Sequence, residues 1–371
     1  MTKTRKKYLI LFAVLAVIVF LIVWGQLYLH DPEKIYIHRD GQTVVHFGDD
    51  YLYSNDDGIF SCENNECVCD IKGKKVLSVS GDKLYVYIKD SGEIIALSSD
   101  LKSETVGKIK SGFNSFAFYD EMFFAASDSG SWAVFNDKLE ECSFETIKTI
   151  EENYSHIEKY KSYYAVVSKW NNKVNNDFGL TIYDSSKTTD NIIIQLYNNY
   201  APIVVSADKD SIIISAFSYV GSSPIYKFSL VGDESEMFRL PNDFNLSGLK
   251  TCGDKYIYWG SHLVSDPHAG PPESFKAHDY DKLGIVDNEN MKEISTYKTA
   301  KHEKIIYADD SRMISFFDGN YYTYSVGSWK ELSKKEAKKL KKDGVYTFEA
   351  CGEYVFVFDD DTGECIDRIK I

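Results

Sequence analysis

Proline is scarce, 7 residues in 371, which excludes a proline-rich stalk or linker protein. Positive charge is in deficit: 42 Lys and Arg stand against 56 Asp and Glu, a net charge of −14. A general nucleic-acid binder presents basic surface to a polyanion, so that class is excluded and no nucleic-acid partner is expected. Common catalytic signatures are missing as well. The chain has no His-Glu-x-x-His, no Gly-x-Ser-x-Gly elbow, no phosphate-binding P-loop and no Gly-x-Gly-x-x-Gly. What the chain does have is 44% hydrophobic and 26% charged residues, which excludes a disordered protein. It is also rich in aromatics, with 27 Tyr and 22 Phe. Alternating aromatics suit the space between packed sheets and need no carbohydrate to explain them.

The N-terminus sets the expected location. Lys3, Arg5, Lys6 and Lys7 precede an uncharged run over residues 8–29, long enough to cross a bilayer at about 1.5 Å per residue. A cleaved signal peptide has a shorter apolar region and a small-x-small cleavage site, whereas Trp24-Gly25-Gln26-Leu27-Tyr28 offers none. No Cys follows the run to take a lipid, and Trp24 and Tyr28 read as interfacial aromatics. The pattern predicts a cytoplasmic basic tail (1–7), a single-pass signal anchor (8–29) and an extracytoplasmic domain (30–371) at the cell membrane. Without the four N-terminal bases that domain carries 38 bases against 56 acids, which disfavours tight contact with an anionic membrane surface.

A repeat organises the rest. Its unit is a short apolar strand, a Gly/Asp turn and a second strand rich in aromatic and β-branched residues. The clearest copies are Ser80-Gly81-Asp82-Lys83-Leu84-Tyr85-Val86-Tyr87, Cys252-Gly253-Asp254-Lys255-Tyr256-Ile257-Tyr258-Trp259 and Cys351-Gly352-Glu353-Tyr354-Val355-Phe356-Val357. Phe47-Gly48-Asp49-Asp50-Tyr51-Leu52-Tyr53 is a fourth, and weaker copies start near Tyr119, Tyr160, Asp208 and Asp309. The eight turns lie near 48, 81, 119, 160, 209, 253, 309 and 352, about 43 residues apart on average. That period suits four-stranded propeller blades. The last copy supplies three strands, near 347–350, 354–358 and 364–369, while the strand at 35–38 belongs to no copy. The spacing therefore predicts an all-β, eight-bladed β-propeller, with seven blades as the alternative. The strand 35–38 is expected to complete the last blade beside 364–369, because closure removes aggregation-prone sheet edges.

This organisation resembles the bacterial β-propeller superfamily, particularly the quinoprotein-like and YVTN-like repeats. Leu84-Tyr85-Val86-Tyr87, Ile94-Ile95-Ala96-Leu97 and Asp361-Thr362-Gly363-Glu364-Cys365-Ile366 carry the resemblance, which covers residues 35–371 at the level of blade pattern. The Gly-Lys-x-x-Trp ending of quinoprotein repeats is absent, and the reading carries no cofactor.

Two segments interrupt the strand pattern. Residues 333–342 read as a short Lys-rich helix, with Ser333 and Glu336 at capping-box spacing and Gly344 as its stop. Residues 262–282 read as a long polar loop containing Pro267, Pro271 and Pro272. The loop holds the weak metal candidates His262, His268, His278 and Asp266, although no pair has the tight spacing of a structural site. Topology predicts that loop and helix rise from one face, giving a candidate binding surface of His262, His268, His278, Lys334, Lys338 and Lys341. The bland alternative is a solvated loop and a solvated helix. Ser127-Asp128-Ser129-Gly130-Ser131-Trp132 is read as a hairpin and not a sialidase-type Asp-box. Asp359-Asp360-Asp361-Thr362-Gly363-Glu364 is read as a hairpin turn and not a calcium loop.

Seven cysteines leave at least one unpaired in a monomer. Cys62 is expected to face Cys67 or Cys69 across a hairpin, as a possible disulfide, and Cys252 and Cys351 are expected to be small buried core residues. With no clustered nucleophile, base or metal set, the favoured function is a non-enzymatic binding or protein-interaction scaffold for a protein or an extracellular or cell-wall ligand. The alternative is a hydrolase or lyase on sugars or lactones, with its site in the central funnel.

Overall fold

The computed structural model describes residues 36–37, 44–119, 121–126, 131–146, 155–160, 163–169, 178–184, 192–196, 202–207, 211–216, 224–229, 235–239, 244–265, 275–341 and 344–371. The expected anchor at 8–29 and its basic tail lie outside the described residues. Among the described residues no helix is long and apolar enough to cross a membrane.

Among the described residues, eight four-stranded sheets follow one another. The first holds Val45–Phe47, Asp50–Asn55, Gly58–Ser61 and Cys67–Cys69. The second holds Lys75–Ser80, Lys83–Ile88, Glu93–Leu97 and Ser103–Lys108. The third to fifth begin at Ser115–Tyr119, Ser155–Tyr160 and Pro202–Ala207. The sixth holds Phe244–Cys252, Lys255–Ser265, Phe275–Asp287 and Glu293–Lys298. The seventh holds Lys304–Ala308, Arg312–Phe317, Asn320–Ser325 and Glu331–Glu336. The eighth holds Val345–Cys351, Tyr354–Asp359 and Cys365–Lys370, joined by Tyr36–Ile37. Each of the eight turns read from the repeat falls at the junction of the first and second strands of one sheet.

The local reason is visible at Gly81. Ser80 pairs with Lys83, so the loop is two residues, and Gly81 has φ of 60°. Two-residue hairpins need a positive φ there, which costs glycine nothing. Gly48, Gly253 and Gly352 repeat the device, with φ of 62°, 61° and 57°. Within each sheet the buried and exposed edges differ. The second sheet's first strand has no exposed position, while its fourth is exposed at four of six. The seventh sheet's fourth strand is exposed at all six positions. In these two sheets the fourth strand is therefore a charged outer edge, which discourages edge-to-edge association.

Sheet faces pack on their neighbours through apolar clusters. Leu52 and Ile59 meet Leu84 and Val86 between the first and second sheets, and Tyr87 meets Phe116 between the second and third. Ile257 and Leu283 meet Ile305 and Met313 between the sixth and seventh, and Phe316 meets Val355 and Val357 between the seventh and eighth. The eighth sheet also packs on the first. Tyr53 and Cys62 share a buried cluster with Phe356, Phe358 and Cys365. The Tyr53 and Phe358 rings are 5.2 Å apart, edge to face. The Asn65 amide donates to the Cys365 carbonyl at 2.9 Å and accepts from the Tyr53 hydroxyl at 2.9 Å. The start and end of the repeat thus share one seam.

Four expectations are corrected. Tyr36–Ile37 does lie in the last sheet, but it runs parallel to Val345–Cys351, at the edge opposite Cys365–Lys370. Val345–Cys351 is the eighth sheet's counterpart of Val45–Phe47, and only six residues separate Ile37 from Val44. A strand at that edge feeds the first sheet without a traverse to the rim. The described residues 333–341 form no helix: Glu331–Glu336 is the rim strand of the seventh sheet, paired to Asn320–Ser325. Ladder hydrogen bonds outweigh the local helix preference, and Ala337 and Leu340 then bury in the adjoining core. Within 262–282 the described residues 262–265 and 275–282 form a hairpin extension, because Lys255–Ser265 pairs with Phe275–Asp287 as far as Ser265 opposite Phe275, and 266–274 lie outside the described residues. Cys252 and Cys351 are half-buried at the margins of their clusters and are not core residues.

Candidate functional site

Turns between second and third strands, and connections from a fourth strand to the next sheet, emerge at the same ends of the strands. Four such regions border a cleft of about 450 Å³, lined by Ser54, Asn55, Asp56, Asp57, Lys74, Lys75, Lys89, Asp361, Thr362 and Gly363. The residues come from the first, second and eighth sheets, so the cleft opens over the seam and its neighbour.

Local hydrogen bonds fix each wall. The Asn55 side chain accepts from the amides of Asp57 and Gly58 at 2.9 and 3.2 Å, an Asx turn that presents Asp56 and Asp57 outward. Asp359, which is buried, accepts from the amides of Asp361 and Thr362 at 3.0 and 3.2 Å. That use of its carboxylate makes Asp359–Glu364 a hairpin turn, as its sequence reads. Lys75 is buried and its ammonium donates to the carbonyls of Asn55 and Gly58. Burial pulls its pKa down, partly countered by Asp56 and Asp57. Lys75 therefore ties the second sheet to the first and is the rigid floor of the cleft. Lys74, Asp56, Asp57 and Asp361 are exposed around it.

The cleft offers cations, carboxylates and turn amides on a fixed frame, which is a surface for holding a polar, doubly charged ligand. Its hydroxyls are Ser54 and Thr362, and its lining contains no histidine that would activate either. Among the described residues no group of three or more His, Cys, Asp or Glu converges as a metal ion would need.

A second polar cluster lies between the sixth and seventh sheets. Asp281 accepts from the Ile305 amide at 2.9 Å, and Glu303 accepts from the Ala300 amide at 2.8 Å and from the Ser315 hydroxyl. Burial holds the Glu303 carboxyl above the usual range, against the pull of those hydrogen bonds. Both carboxylates are held by these bonds, and Asp281 also pairs with Lys304 at 3.5 Å, so this cluster fastens the connection 299–305.

The residues singled out from sequence are dispersed. His268 and Asp266 lie outside the described residues, and His262 and His278 sit on the two strands of the hairpin extension. Lys334 stands over the Tyr322 ring at 5.2 Å on the rim, and Lys338 pairs with Glu336 at 3.8 Å. Lys341 belongs to the turn after that strand, where the Tyr346 hydroxyl bonds to its backbone. With no helix, no shared helical face joins the three lysines. Cys67 is exposed opposite Phe60, while Cys62 is buried against the eighth sheet, so the expected Cys62–Cys67 pairing gives way to a different neighbour. The register around the 61–66 turn sends the two side chains to different surroundings.

No protein-family model and no curated protein matches the sequence. Solved structures do match in shape. The computationally designed Ika8 protein aligns with TM-score 0.58 at 9% identity, over 92% of this chain and 100% of that one. BamB from Moraxella catarrhalis aligns with TM-score 0.55 at 9% identity, over 89% and 97%. The chain folds as a β-propeller. Dihydro-heme d1 dehydrogenase NirN, in complex with DHE, aligns with TM-score 0.52 at 11% identity, over 92% of this chain and 75% of that one. Identities this low speak to the propeller and not to its chemistry.

Proposed function

We propose that the protein is an eight-bladed propeller, held at the outer face of the cell membrane by residues 8–29, that acts as a non-enzymatic binding scaffold. Each four-stranded sheet is one blade. The observation that carries the reading is the cleft over the seam, with Lys74 and Lys89 opposed to Asp56, Asp57 and Asp361 on a floor fixed by Lys75. Such a surface suits an extended protein segment carrying both charges, which meets complementary groups along its length. The opposite face carries the turns between first and second strands, four of which are the tight glycine turns at Gly48, Gly81, Gly253 and Gly352. The absence of a paired nucleophile and base in the cleft favours binding over the hydrolase or lyase reading.

Site-specific photo-crosslinking in intact cells tests this. A photoreactive residue at position 74 is expected to capture a protein partner, while one at Lys255, on the opposite face, is not. With the probe moved to Asp361, the double change Lys74→Glu and Lys89→Glu is expected to cut capture about tenfold, the ratio that corresponds to about 1.4 kcal/mol. Equal capture from both faces, or capture that survives the charge reversal, would overturn the reading.

A further inference from the structure

The seam between the first and eighth sheets holds two thiols from opposite ends of the repeat. Cys62 follows the strand Gly58–Ser61, its amide donating to the Tyr51 carbonyl at 2.8 Å. Cys365 opens the strand Cys365–Lys370, its carbonyl taking the Asn65 amide at 2.9 Å. Both residues are 6% exposed and both belong to the cluster of Tyr53, Phe356 and Phe358, with the Cys365 thiol donating to the Asp367 carbonyl at 3.7 Å. On the rim side Arg368 reaches Glu63 at 3.4 Å. The backbone on either side is therefore pinned, and the two cysteines face one buried cluster across the seam.

We infer that Cys62 and Cys365 are the site of a disulfide that locks the first blade to the last. Both cysteines are reduced in this structure. The chemistry is thiol–disulfide exchange with an oxidant of the disulfide class, such as glutathione disulfide or an oxidised dithiol protein. The Cys365 thiolate attacks one sulfur of the oxidant and expels the first thiolate. The Cys62 thiolate then attacks Cys365 Sγ in the mixed disulfide and expels the second. Two protein thiols become one disulfide, one oxidant disulfide becomes two thiols, and the electrons balance. Interaction with Cys365 raises the Cys62 pKa, with burial adding to the rise, and interaction with Cys62 lowers that of Cys365 against the opposing effect of burial, which agrees with these roles. An extracytoplasmic location would supply the oxidising setting. The bond itself is tested in solution, independently of location and of any partner.

The loop it closes is about 300 residues long. Cross-links over long loops restrict the unfolded chain most, by the chain-entropy estimate. For a domain of this size that corresponds to a rise in melting temperature of roughly 5–10 °C.

The test takes the full-length chain in detergent and equilibrates it with a reduced and oxidised glutathione buffer. Free thiols are then blocked with N-ethylmaleimide, and the protein is digested without reduction for mass spectrometry. The expected result is a peptide pair joining Cys62 to Cys365, together with the rise in melting temperature over the dithiothreitol-treated protein. The Cys365→Ala variant, checked for folding by circular dichroism, should show neither. Recovery of both cysteines as maleimide adducts after unfolding, or of Cys62 joined to Cys67, would overturn the inference.

Discussion

Replacing Phe356 by alanine is expected to destabilise the protein by about 3–5 kcal/mol, the range for removing a buried aromatic ring and leaving a cavity. Phe356 is fully buried, 5.0 Å from the Tyr51 ring in the first sheet and 5.9 Å from Tyr354 in its own. The ring therefore serves its own sheet and the seam, and its loss weakens the contact that joins the ends of the repeat. At about 2.1 cal/mol/K per residue, the loss corresponds to a fall of roughly 4–8 °C in melting temperature. Leu332→Ala is the matched control. Leu332 is 56% exposed on the rim strand of the seventh sheet, and its truncation is expected to stay within about 0.5 kcal/mol. Thermal melts followed by circular dichroism compare the two. Equal effects would mean that Phe356 does not stand at a packed seam.

The second large effect comes from a glycine with an ordinary φ. Gly284 pairs directly across from Tyr258, and a Cβ placed on it would lie 2.1 Å from Tyr258 Cζ. The Tyr258 ring is fully buried between the fifth and sixth sheets and cannot swing aside. Gly284→Ala is therefore expected to cost about 2–3 kcal/mol through overpacking. Shortening the ring should relieve the clash. In a Tyr258→Leu background the same change is expected to cost less than about 1 kcal/mol, so the two substitutions are strongly non-additive. Urea denaturation of the four proteins measures the cycle. A neutral Gly284→Ala, or an additive pair, would show that the ring does not lie over the glycine.

The blade plan was legible because its signals are local. A Gly/Asp turn between two apolar stretches requires only that a strand reverse tightly, and Gly48, Gly81, Gly253 and Gly352 all meet that requirement. The weaker copies lack glycine at that turn, yet Tyr160 still pairs with Tyr163, and aromatic and β-branched content was enough to place them. Rim strands read poorly. Glu331–Glu336 is exposed throughout, so its composition carries no periodicity, and only pairing with Asn320–Ser325 makes it a strand. The cleft could not be read in advance, since its walls are short turns whose nearness depends on the eighth sheet lying beside the first. The same holds for Cys62 and Cys365. Cysteine spacing along the chain favoured Cys67 as the partner, while the register around the turn turns Cys62 toward a sheet built some 300 residues later.

Closure of the ring is tested most directly by an experimental structure of the full chain, from crystallography or cryo-microscopy, at a resolution that traces every strand. Closure requires eight four-stranded sheets in chain order, with the last against the first. Tyr53 should lie on Phe358, the Asn65 side chain on the Cys365 carbonyl, and Tyr36–Ile37 parallel to Val345–Cys351. A map in which the first and last sheets stand apart, or in which Tyr36–Ile37 pairs within the first sheet, would contradict it.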